Sequence, residues 1–126
     1  MKKLLLLLMV VPMIGFGQNK IELRDNELII KKGKANYQAN VFQQPGRAYV
    51  TNQRFYFVTS KLATKRYVLS FELQEITSIE KGGASFKGGL VAAINTIEIL
   101  LNNGDKHIFT VGKRKKWIKE VNDLIQ

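Results

Sequence analysis

The chain has 126 residues, with 20 lysine or arginine against 10 aspartate or glutamate, a formal charge of +10 and no cysteine. Its length supports a single domain, and the missing thiols exclude disulfides, thiol catalysis, cysteine metal sites and a lipid-modified cysteine. The excess of positive charge favours anionic partners.

Met1-Lys2-Lys3 is a basic start, Leu4 to Ile14 is apolar except for Pro12, and Gly15-Phe16-Gly17 leads into the polar Gln18-Asn19-Lys20. This is the layout of a secretory signal. Its apolar stretch of about 13 residues is shorter than the roughly 20 that span a bilayer. Residues 1–18 therefore read as a signal peptide and 19–126 as one exported domain, periplasmic or extracellular. Its formal charge is +8 once Lys2 and Lys3 are removed. Export argues against nucleic acid as the partner and leaves anionic lipid, another acidic envelope component, or a protein.

Glu27 to Ile30 predicts a short strand, with a turn at Lys31-Lys32-Gly33. Ala35 to Phe42 carries a weaker strand pattern, and Gln43-Gln44-Pro45-Gly46 is a turn signal. Arg47 to Thr51 and Arg54 to Val58 alternate on either side of Asn52-Gln53, which predicts a hairpin. Ser60 to Lys65 is a polar, basic loop. Arg66 to Leu73 alternates again, with Tyr67, Leu69, Phe71 and Leu73 on one face. Glu75 to Lys81 is a short strand with a bulge or bend. Gly82 to Asn95, with four glycines, three alanines and no acidic residue, is a flexible or ligand-facing segment. Thr96 to Leu101 and Lys106 to Val111 form a hairpin about Asn102-Asn103-Gly104-Asp105, where Asn-Gly tolerates positive φ. The period then changes: Trp117, Ile118, Val121, Leu124 and Ile125 recur at helical spacing, one apolar face of a C-terminal helix.

The expected fold is mainly β, in the α+β class: a small antiparallel β-barrel of six or seven strands capped by the helix, with Trp117 plugging one end. Alternation places Phe42, Tyr49, Phe55, Phe57, Phe71, Phe109 and Trp117 inside.

Little in the sequence points to catalysis. His107 is the one histidine, which makes a poor metal site without cysteine or clustered carboxylates. Glu72, Glu75, Glu80 and Glu98 are scattered. No nucleophile elbow, phosphate loop or dinucleotide fingerprint occurs. The expectation is a non-enzymatic protein with no cofactor and no metal. The basic clusters are the functional lead: Lys31, Lys32 and Lys34; Lys61, Lys65 and Arg66; Lys113, Arg114, Lys115, Lys116 and Lys119; and Arg47 and Arg54, which flank the hairpin. At a lipid surface each such cation is worth roughly 1 kcal/mol. Those at the helix start also run against the helix dipole. Phe86 beside Lys87, with Leu90 and Val91, is the candidate hydrophobic contact, the alternative being that it packs back onto the barrel.

The run Gly46-Arg47-Ala48-Tyr49-Val50-Thr51-Asn52-Gln53-Arg54-Phe55-Tyr56-Phe57 resembles the core motif of GRAM domains, which have the pleckstrin-homology-like (PH-like) fold. Leu73 to Ile79 resembles a family strand ending in an Ile-x-x-Ile step. The run from Ile97-Glu98-Ile99 through Asn103-Gly104 to His107-Ile108-Phe109 resembles its late hairpin. The likeness covers about Leu28 to Ile125. It implies a seven-stranded bent sheet or barrel with a C-terminal helix, and an association with membranes, phosphoinositides or proteins. It assigns no lipid-binding residue. The combined expectation is an exported binding module for anionic lipid or another anionic surface. The alternative is a protein-interaction or structural domain of the cell envelope, working through a sheet edge or the Gly82–Asn95 segment.

Overall fold

The alternating runs fold as strands of one antiparallel sheet. The computed structural model describes residues 20–39, 42–82 and 95–126. The expected leader, and the segment holding Phe86, Leu90 and Val91, lie outside the described residues. The strands are β1 (Ile29–Ala39), β2 (Phe42–Thr51), β3 (Arg54–Thr59), β4 (Val68–Glu72), β5 (Ile76–Lys81), β6 (Thr96–Leu101) and β7 (Lys106–Val111), followed by helix α1 (Arg114–Ile125). The order across the sheet is β4-β3-β2-β1-β7-β6-β5. The expected barrel is therefore an open one: β4 and β5 are the two edges of the sheet, joined in the chain by a short 3-10 turn, Leu73–Glu75. The bulge expected near the start of β5 falls between Ile76 and Ser78.

Two turn signals lie inside strands. β1 runs straight through Lys31-Lys32-Gly33, and β2 through Gln43-Gln44-Pro45-Gly46. In both, the glycine serves close approach rather than chain reversal. A Cβ on Gly46 would sit 2.3 Å from the Val58 carbonyl oxygen, and one on Gly33 would sit 3.3 Å from Trp117 Cζ2.

Ala48, Val50, Phe55, Phe57, Ile97, Ile99 and Phe109 fill the interior, all fully buried. Burying such side chains contributes about 1.5–3 kcal/mol for each large one. α1 lays Trp117 and Val121 over one end of this core, and the Trp117 ring meets Phe55 edge-on at 6.3 Å. Of the aromatics expected inside, Tyr49 is buried on the outer face opposite Lys32 rather than in the core, and Phe42 is 68% exposed. β2 pairs with β3 only from Gly46 onward, so Phe42 lies where the β1–β2 ribbon outruns the rest of the sheet.

Candidate functional site

The Thr-Asn-x-Arg stretch at the β2–β3 turn holds the chain that precedes β1. Glu27 is buried on the outer face of β2 and β3, where its carboxylate accepts from Thr51 Oγ1 at 2.6 Å, Arg54 Nε at 2.8 Å, Arg54 Nη2 at 3.1 Å and the Arg24 N–H at 2.8 Å. Arg54 Nη2 also donates to the Glu22 carbonyl at 2.9 Å, and Nη1 to Ser70 Oγ at 3.3 Å. Asn52 accepts from the Leu28 N–H at 2.9 Å and donates to the Asn26 carbonyl at 3.0 Å. Residues 22–28 thus form a strap, pinned further by the surface pair Arg24–Glu72. Burial pushes the Glu27 carboxyl up, but the bonds from Arg54, Thr51 and the Arg24 backbone outweigh it and hold the group below the usual carboxylate range. Arg54 is accordingly withdrawn from the ligand-facing cations: it is 7% exposed and spent on Glu27.

At the end of the core away from Trp117, three connections converge. Tyr37 near the end of β1, Tyr67 at the end of the β3–β4 loop, and His107 just past the β6–β7 turn meet in one cluster. Tyr37 Oη lies 3.0 Å from His107 Nδ1, the Tyr37 and Tyr67 rings are 5.2 Å apart, and Phe71 lies 4.6 Å from the His107 ring. Burial lowers the His107 pKa against the opposing pull of Asp105. It raises that of Tyr37, with the charges of Tyr67 and Asp105 acting in the same direction. Gln44 fixes the β3–β4 loop above this mouth. Its Oε1 accepts from the Thr64 N–H at 2.9 Å and the Lys65 N–H at 3.3 Å, and its Nε2 donates to Thr64 Oγ1 at 3.0 Å. That loop carries Lys61, Lys65 and Arg66, with Lys65 Nζ 5.6 Å over the Tyr67 ring. It also presents Leu62, 84% exposed, at the same end as Phe42.

The other expected cations divide between two places. Ala35 and Ala48 face the core, so Lys32, Lys34 and Arg47 face outward, with Lys34 directly opposite Arg47. Lys31 turns the other way, its Nζ 5.1 Å over the Trp117 ring. In the first turn of α1, Arg114 donates to the Thr96 carbonyl at 3.3 Å, while Lys115 and Lys116 are exposed. Lys113 stands just before the helix in a left-handed conformation, and Lys119 pairs with Asp123 at 2.7 Å. The clusters therefore do not merge into one patch. Among the described residues no group of three or more His, Asp or Glu could hold a metal ion.

Phe42 and Leu62, the exposed apolar tips, carry no local signal of exposure in the sequence. A plainer signal for this end lies in residues 28–71, which contain eight lysines or arginines and no acidic residue.

An open seven-stranded antiparallel sheet whose end is closed by a C-terminal helix is the architecture of PH-like domains. The C-terminal PH domain of human pleckstrin superposes with a TM-score of 0.66 at 13% identity, covering 84% of this chain and 95% of that one. The Vps36 N-terminal PH domain gives 0.64 at 13% identity, covering 87% and 90%. The Slm1-PH domain solved with D-myo-inositol-4-phosphate gives 0.54 at 14% identity, covering 77% and 97%. No curated protein matches the chain. The sequence model of the GRAM domain matches residues 16–123, and the chain belongs to that family.

Proposed function

We propose that this GRAM domain is a non-enzymatic, exported module that docks on anionic membrane surfaces through its open mouth. One observation carries the reading: the β3–β4 loop presents Lys61, Lys65 and Arg66 around the exposed Leu62, at the same end as the exposed Phe42. An apolar side chain left in water among cations is what a headgroup surface accommodates. The cations face the phosphates, each worth about 1 kcal/mol at low salt, while the apolar tips enter the acyl boundary. The likeness to a PH domain solved with an inositol phosphate supports an anionic headgroup as the ligand. Export, inferred from the leader, points to the bulk anionic lipid of an envelope membrane, with removal of residues 1–18 beforehand.

Co-sedimentation with phosphatidylcholine vesicles, with and without phosphatidylglycerol, tests this at low and high salt. The expected result is binding only to anionic vesicles, weakened by salt and by Lys61→Gln/Lys65→Gln/Arg66→Gln, and lost with Phe42→Ser/Leu62→Ser. Absence of binding to anionic vesicles at low salt overturns the proposal.

A further inference from the structure

We propose that the outer face of the β1–β2 ribbon is a second anion-binding surface, distinct from the mouth, and that its partner is a soluble chain polymer: an anionic polysaccharide. Lys34 and Arg47 are direct cross-strand partners on the outward face. Side chains so placed have their Cβ atoms about 4.5–5.5 Å apart, and like charges there are destabilising. Lys32 stands on the same face two residues along β1, roughly 6.6–6.8 Å away by strand rise. The ion pairs among the described residues take up Arg24, Arg54, Lys106 and Lys119, and none of these three.

The group ends with the ribbon. The last rung between β1 and β7 is Ala35 opposite Val111, after which the chain leaves at Gly112 and Lys113. Lys113 lies beyond that rung, before a helix turn with no acidic residue, and belongs to the separate helix-start group. On the outward face Lys32, Lys34 and Arg47 thus form a group of three cations, with neighbours roughly 5–7 Å apart. A polymer with one acid group per sugar can meet these cations with successive acid groups.

The chemistry also separates this face from the mouth. The mouth exposes Phe42 and Leu62 beside its cations, whereas Lys34 and Arg47 face each other in one row, with Asn36 and Pro45 in the next; the exposed Ile29 and Ile30 precede Lys32 at the start of β1. The Lys34–Arg47 row has no apolar tip of its own, which suits a ligand that stays in water. The choice of polysaccharide over nucleic acid rests on the export reading above; the cationic face itself does not.

Isothermal titration of the exported protein with polygalacturonate, at low and rising salt, tests the proposal beside a single-stranded DNA oligonucleotide. Binding to polygalacturonate should weaken linearly in log affinity against log salt. In Lys32→Gln/Lys34→Gln/Arg47→Gln that slope should fall by about two, and low-salt affinity by about tenfold or more, at roughly 0.7 per released counterion. The same variant should retain vesicle binding, and Phe42→Ser/Leu62→Ser should retain polymer binding. Loss of vesicle binding by the mouth variant thus bears on the mouth alone. An unchanged slope in the triple variant, no binding of polygalacturonate by the unaltered protein, or a preference for the oligonucleotide overturns the proposal. Should the triple variant fail to fold, Lys34→Thr reads the same slope, with an expected fall of about 0.7.

Discussion

Glu27→Leu should be among the most damaging single substitutions in the chain. The Glu27 side chain is fully buried and receives two bonds from Arg54, one from Thr51 and one from the Arg24 backbone. Removing it leaves the Arg54 guanidinium buried with only the Glu22 carbonyl and Ser70 hydroxyl as acceptors. Stranding a buried charge in this way costs about 3–5 kcal/mol, against a total of roughly 5–15 kcal/mol for a small domain. The melting temperature should fall by at least about 12 °C. Arg54→Leu alone should be comparably harmful, whereas the double variant Glu27→Leu/Arg54→Leu should recover much of the loss, because no charge is then left unpaired. Urea unfolding at constant m-value measures the cycle. A loss under about 1 kcal/mol for Glu27→Leu, or a double variant no more stable than the worse single one, refutes the clamp. The sign with pH follows from the same bonds. The folded Glu27 pKa is depressed below its ordinary 4.5, so its contribution is complete above 4.5 and is lost as pH falls through the lower folded value.

His107, whose pKa burial depresses below the ordinary 6.5, resists protonation in the folded state. Stability measured by urea unfolding should therefore decline as pH drops below 6.5 towards the lower folded value, and His107→Asn should flatten that slope. Gly46→Ala forces a Cβ to 2.3 Å from the Val58 carbonyl oxygen; thermal melting should show a loss of about 1–3 kcal/mol or more. Trp117→Ala empties the space over Gly33 and Phe55 and should cost about 3–5 kcal/mol, seen as a lower urea midpoint.

The paired half of the fold was legible because period two is a local signal: Arg54 to Val58, Thr96 to Leu101 and Lys106 to Val111 each show it within one strand. The Asn-Gly hairpin was equally local, with Gly104 at φ 96°. Gly33 and Gly46 misled for a physical reason. A glycine that admits a tryptophan ring or a neighbouring carbonyl carries the same letter as one that turns the chain, and only the packed partner tells them apart. Arg54 misled in a related way. Its partner Glu27 is 27 residues away in the chain, so nothing near the arginine announces that it is neutralised and buried. Phe42 fits the alternation expected of a core residue, but the pattern cannot show that the ribbon extends beyond its neighbours.

The cations of this chain have at least three fates, and the distinction bears on whether its net charge has a use beyond solubility. Arg24 and Arg54 clamp the strap, Arg114 holds the Thr96 carbonyl and Lys31 covers Trp117. A charge kept only for solubility would sit best where it repels nothing. Lys34 opposite Arg47 is the reverse, because each raises the free energy of the other. Lys34→Thr should therefore stabilise the domain by about 0.2–1 kcal/mol, helped by the better strand propensity of threonine. In the same protein it should weaken polygalacturonate binding. A pair kept for binding predicts this opposition between a higher melting temperature and a lower affinity. A charge that only solubilises predicts no change in affinity, and a gain in stability with polymer binding intact would remove the functional reading of the face.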